Sequence, residues 1–170
     1  MKRYGTRHLF CALIIGIMFL IFRVPAQAQE MPPRPVGVSM LQNLNFGAFS
    51  LLGSGGGSVT ITPYGVRSSA GDVILVTLGY PYYPAIFTLE GNPGTIIHFL
   101  AGSTAQLTGS NGGTLDLVIG ECDLGDPIII NVAPPGQMQV RVGGTLTVGP
   151  PNANPPGSYT GSFMIMFIQE

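Results

Sequence analysis

Beyond residue 29 the apolar positions fall in short alternating runs, not at helical spacing. Val36, Val38 and Met40 alternate, and the block Leu44-Asn45-Phe46-Gly47 follows. Val59 and Ile61 alternate with Thr60 and Thr62, the pattern of a half-buried strand. Val73 to Leu78 is nearly continuous apolar and predicts a strand covered on both faces. Ala85, Phe87 and Leu89 alternate, Thr95 to Leu100 is a further run, and Leu115, Leu117 and Ile119 alternate again. The series continues through Ile128, Ile130 and Val132, then Met138, Val140 and Val142, then Leu146 and Val148. Gly143-Gly144 between the last two runs reads as a tight turn. Tyr159 to Ile168 closes the chain with apolar or small residues on both parities, which predicts a central core strand. The total is about nine or ten short strands with Gly-, Pro- and Asn-rich breaks, the spacing of a sandwich or small barrel. Such short connections favour antiparallel pairing, because parallel neighbours need long crossovers. No internal repeat or second domain boundary interrupts residues 36–170.

The first 28 residues follow different rules. Lys2, Arg3 and Arg7 precede an uncharged run from Leu9 to Phe22, and Ala26-Gln27-Ala28 follows Pro25. A basic start, a short apolar centre and an A-x-A ending are the parts of a secretory signal peptide. The run is shorter than the ~20 residues a spanning helix needs. Small side chains at Ala26 and Ala28 place the cut before Gln29. Cys11 lies inside the apolar run, which does not fit lipoprotein processing. The expectation is export by the Sec route to the periplasm, cell surface or medium, with no membrane span in the mature chain. Residues 29–35 then form a leader containing Pro32, Pro33 and Pro35.

Removing residues 1–28 of 170 leaves 142, and it changes the charge. All eight acids stay, but only Arg34, Arg67 and Arg141 remain as bases, so the net charge is −5 with no lysine. That balance disfavours nucleic acid and anionic membranes as partners. It also excludes a lysine–asparagine crosslink. Cys11 leaves with the signal, so Cys122 is a single free thiol and no intrachain disulfide can form. The core alone must hold the fold.

Several blocks occur in order: Leu44-Asn45-Phe46-Gly47, the Val59–Arg67 segment, Pro84–Gly91, and Val142-Gly143-Gly144-Thr145-Leu146-Thr147-Val148 followed by Gly157–Phe163. Together they resemble the bacterial secreted family catalogued as domain of unknown function 4402, from Val36 to Ile168. That family in turn resembles spore-coat-U and chaperone–usher pilin domains, which are immunoglobulin-like sandwiches. The resemblance implies an all-β, antiparallel, immunoglobulin-like (pilin-like) β-sandwich and a structural or adhesive surface subunit. It supplies no catalytic residue. Three features depart from usher pilins. The disulfide near the first strand is missing, Gln169 replaces the penultimate tyrosine, and the N-terminal extension carries prolines that remove ladder donors.

Candidate chemistry is sparse. Gly53–Gly57 has no following lysine and precedes a strand, so it reads as a hairpin loop and not a phosphate cradle. Glu121, Asp123 and Asp126, with Asp116 nearby, could offer oxygens to calcium, but their spacing matches no calcium loop and a solvated acidic turn is expected. Cys122 sits among these acids, which should raise its pKa; it is expected as a half-buried small residue, with pairing between chains the alternative. His98, the mature chain's only histidine, lies in an apolar run without a Gly-x-Ser-x-Gly elbow, and is expected on a core or sheet face. One histidine and one cysteine are too few for a zinc site. No cofactor is expected.

Two surfaces remain. Tyr80, Tyr82 and Tyr83 lie on a segment stiffened by Pro81 and Pro84, suited to stacking on a glycan or a protein. Tyr159, Gly161, Phe163, Ile165 and Phe167 share one face of the last strand, a candidate edge for strand exchange with other copies or related subunits. The leading expectation is a non-enzymatic structural or adhesive subunit. A stand-alone glycan- or protein-binding module is the alternative, and a secreted hydrolase would need Ser or Asp beside His98 in a cleft.

Overall fold

The computed structural model describes residues 34–170. The expected cut at Ala26, Ala28 and Gln29, and leader residues 29–33, lie outside the described residues. Thirteen strands follow one another: β1 Gly37–Gln42, β2 Ala48–Leu51, β3 Gly57–Ile61, β4 Arg67–Gly71, β5 Val73–Val76, β6 Ala85–Glu90, β7 Ile96–Leu100, β8 Thr104–Gly109, β9 Thr114–Cys122, β10 Ile128–Ile129, β11 Met138–Val148, β12 Tyr159–Thr160 and β13 Met166–Gln169. No helix occurs among the described residues. Every paired strand is antiparallel.

The large sheet runs β1-β6-β11-β9-β8-β12, with β3 and β4 attached to β11. A second sheet runs β10-β7-β13, and β2 pairs with β5 in a third. β11 is the hub. One of its edges pairs with β6 through Met138–Val142 and then with β3 through Gly144–Val148, while the other edge pairs with β9. The alternation read from the sequence sets which side chains face inward. On β9, Leu115, Leu117 and Ile119 are buried while Thr114, Asp116 and Val118 are exposed. Val140, Val142 and Leu146 of β11 join them, as do Ile97 of β7 and Ile128 of β10. Each such aliphatic side chain contributes about 1.5–3 kcal/mol on burial. The second sheet closes on the first through aromatic rings: Phe167 of β13 lies 6.1 Å from Phe87 and 5.5 Å from Phe99, centroid to centroid. The chain is an all-β antiparallel sandwich of packed sheets.

Four expectations need correction. Gly143-Gly144 is not a turn, because β11 runs straight through it with a bulge between Val142 and Gly144. A side chain at Gly143 would collide with the Ile61 carbonyl, so glycine is there to let β3 and Pro63 approach. Residues 138, 140, 142, 144, 146 and 148 keep one parity throughout, which is what one continuous strand requires. Gly53–Gly57 is not a hairpin: β2 pairs with β5 and β3 with β4, so the loop crosses between sheets. Its backbone wraps the Asp72 carboxylate, which accepts from Gly55 N at 2.9 Å.

Val73–Leu78 is not covered on both faces. Only Val73 is buried, and β5 ends at Val76, because its sheet has just two strands. The last segment is not a central core strand either. It splits into β12, which pairs with β8, and β13, which pairs with β7 in the other sheet. Changing sheets leaves residues 161–165 without a ladder partner. Strands β2, β4 and β8 had no place among the expected runs. β4, Arg67-Ser-Ser-Ala-Gly71, has no apolar alternation to reveal it, since four of its five residues are exposed.

Candidate functional site

The sheet change just described borders a concavity. A groove of about 910 Å³ opens between Asn43–Phe49 on one side and Gly157–Phe163 on the other. Its floor is formed by Leu107, Leu115 and Leu146, inward-facing residues of the large sheet. Phe46 and Phe49 stand on one wall, Tyr159 and Phe163 on the other. Among the described residues, no Asp, Glu, Lys, Arg or His lines it.

Local hydrogen bonds shape the first wall. Asn45 and Tyr83 exchange backbone bonds at 3.0 and 2.9 Å, which fixes the Leu44–Gly47 block against the tyrosine segment. Asn45 Oδ1 accepts from Gly47 N at 2.9 Å and tightens the turn. The opposite wall is held by Tyr159, whose hydroxyl donates to the Pro155 carbonyl at 2.7 Å.

The structure divides the three tyrosines expected to act together. Tyr80 and Tyr83 line the groove. Tyr82 lies instead under the Arg67 guanidinium, 5.0 Å from ring centroid to Cζ, a cation–π contact. Arg67 also donates through Nη2 to the Ala48 carbonyl, so Tyr82 belongs to the support of β2. Tyr82 is thus separated from the ligand-loop candidates.

Of the candidate exchange edge, Tyr159, Gly161 and Phe163 line the groove, while Ile165 and Phe167 continue against the core. The opposite parity faces out: Met164 is 78% exposed and Met166 50%. Within the unladdered stretch, Ser103 Oγ donates to the Met164 carbonyl at 3.0 Å.

His98 stands on the outer face of β7, away from the groove. Its Nδ1 lies 3.1 Å from both Asp126 oxygens and its Nε2 3.0 Å from Glu170 Oε1. Asp126 and then Glu170 raise the histidine's pKa by hydrogen bonding to its charged form. The His98 bond in turn holds the Asp126 carboxyl below its usual range, helped by the Phe99 amide that donates to Oδ1 at 3.1 Å. The two carboxylates face opposite ring nitrogens, so they do not converge on one point as metal ligands would.

The acids around Cys122 disperse. Asp123 pairs with Arg141 at 3.5 Å and accepts its backbone N–H at 2.8 Å. Asp126 turns to His98, and Asp116 accepts from Gln106 at 2.9 Å. Among the described residues no cluster of His, Cys, Asp and Glu is arranged to hold a metal ion. Cys122 is buried, and its Sγ donates to the Gly125 carbonyl at 3.2 Å. Burial is the main cause of its raised pKa, with Asp123 adding to it. A thiol so placed does not reach another chain while the fold is intact, in keeping with the small buried residue expected there and not with the alternative of pairing between chains.

A family model described as a domain of unknown function (DUF4402) matches residues 36–168. No curated protein and no solved structure matches the chain.

Proposed function

The chain belongs to the DUF4402 family, and on that premise we propose that it is an exported, non-enzymatic surface subunit, pilin-like in design. It takes an extended strand from a neighbouring subunit into the groove. The observation that carries this reading is the groove between Asn43–Phe49 and Gly157–Phe163, floored by core leucines and bordered along Gly161–Phe163 by chain without ladder partners. Backbone groups at such a border supply hydrogen bonds to an added strand, and the apolar floor supplies pockets for alternate side chains. The uncharged lining selects an uncharged strand.

The test is a denaturing gel of surface and medium fractions, with and without boiling, in reducing buffer. A ladder in unboiled samples that collapses on boiling supports strand-exchanged polymers. Phe163→Asp, which puts a charge on the groove wall, should abolish the ladder while the monomer stays folded. A single monomer band in every lane overturns the reading.

A second reading has its own observation. Tyr80 and Tyr83 bring two aromatic rings to the same uncharged groove, a surface on which neutral sugar rings stack. In that reading the chain is a stand-alone binding module. Tyr80→Ala and Tyr83→Ala would then abolish retention on a glycan array, while Tyr82→Ala would not.

A further inference from the structure

The outer face of β10-β7-β13 carries one cationic group, His98, and two carboxylates delivered by different parts of the chain. Asp126 comes from the loop before β10, and Glu170 follows directly on β13. No other residue of β7, β10 or β13 is titratable, and the charged groups that act on His98 among the described residues are Asp126 and Glu170. Both ring nitrogens lie within 3.1 Å of carboxylate oxygen. Each nitrogen can bond there only by donating a proton, so the geometry is that of the imidazolium.

The two carboxylates are not equivalent. Asp126 has a second anchor in the Phe99 backbone N–H at 3.1 Å. The Glu170 carboxylate has His98 as its one hydrogen-bond partner among the described residues. When the ring loses one proton it keeps a single donor. The better-anchored carboxylate keeps that donor, and the bare nitrogen then turns its lone pair toward Glu170.

We propose that His98 is a proton-operated clasp on the end of the last strand: as imidazolium it ties Asp126 to Glu170, and as neutral imidazole it keeps Asp126 and releases Glu170. The device acts on a strand with consequences inside the fold. β13 seats Phe167 between Phe87 and Phe99, and the same segment runs back to Phe163 on the groove wall. The clasp stands on its own geometry and does not depend on strand acceptance by the groove.

Nitrogen-15 NMR of the histidine ring in the purified protein, titrated across neutral pH, tests the proposal. The His98 midpoint should lie above the ordinary 6.5. The neutral form should be the Nδ1–H tautomer. The Glu170 amide, which donates to the Ile96 carbonyl at 3.1 Å, should shift with the same midpoint. Glu170→Gln should lower the midpoint and leave the tautomer as it was. Asp126→Asn should lower the midpoint and move the neutral proton toward Nε2. An ordinary midpoint, a neutral Nε2–H tautomer in the unsubstituted protein, or a Glu170 amide indifferent to the titration would each overturn the clasp.

Discussion

Val36 and Gln169, 133 positions apart, are joined by a hydrogen bond in which the Val36 amide donates to Gln169 Oε1 at 3.1 Å. The same side chain donates through Nε2 to the Arg34 carbonyl at 3.3 Å. A carboxamide thus gives the incoming leader one acceptor and one donor, as a neighbouring strand would. Gln169 lies on β13 and Val36 directly precedes β1, so this side chain ties the second sheet to the large one at the place where the described chain begins.

Gln169→Ala removes both bonds and leaves a part-buried amide without its partner. The expected loss is about 1–2 kcal/mol of unfolding free energy, read from urea denaturation. Gln169→Glu keeps the acceptor but loses the donor, and should fall between the two. A variant as stable as the unsubstituted protein would show that the leader is not anchored there.

Gly143→Ala drives a methyl group into the Ile61 carbonyl and the Pro63 ring. The cost expected for such overpacking is about 1–3 kcal/mol, seen as a lower denaturation midpoint. Were the glycine pair a turn at the surface, alanine there would cost much less.

Cys122 should react slowly with an aromatic disulfide reagent at neutral pH. Burial raises its pKa and hides the sulfur, and the thiol is engaged with Gly125. Adding urea above the unfolding midpoint should accelerate the reaction sharply. Fast labelling of the native protein would contradict the buried position.

The charged unit on β7 gives stability a defined pH dependence. His98 has a raised folded pKa, so its contribution is complete below 6.5 and is lost as pH rises through the folded value. Asp126 has a depressed folded pKa, so its contribution is present above 3.8 and is lost as pH falls through the folded value. Thermal melts of His98→Gln against the unsubstituted protein should therefore differ most near pH ~5 and converge near pH ~9. A constant difference across that range would assign His98 a packing role instead.

Much of the architecture was legible in the sequence because burial in a sandwich repeats every second residue. Leu115, Leu117 and Ile119 announced both β9 and the face it buries. The family blocks marked Leu44–Gly47 and Gly157–Phe163, the two stretches that became the walls of the groove. Some of what was misread involved glycine and polar segments, where periodicity is silent; the apolar runs Val73–Leu78 and Tyr159–Ile168 were misread because apolar content does not show which strands flank a run. Gly143-Gly144 looks like a turn in one dimension, and only the approach of Ile61 shows why a strand needs it. β4, with serines and a terminal glycine, is a strand because β3 pairs with it, not because of its own pattern.

The sequence by itself determined the all-β class, the inward faces of β3, β6, β9 and β11, the lone thiol and the acidic balance beyond residue 28. These follow from side-chain chemistry and a two-residue period, both local properties. Tertiary structure decided the rest. It sent Tyr82 to Arg67 and left Tyr80 and Tyr83 on the groove, moved the last segment from one sheet to the other, and brought Asp126 and Glu170 to opposite sides of one imidazole. Each of these depends on which strands pair across tens of residues, and pairing is fixed by the packing of the whole core.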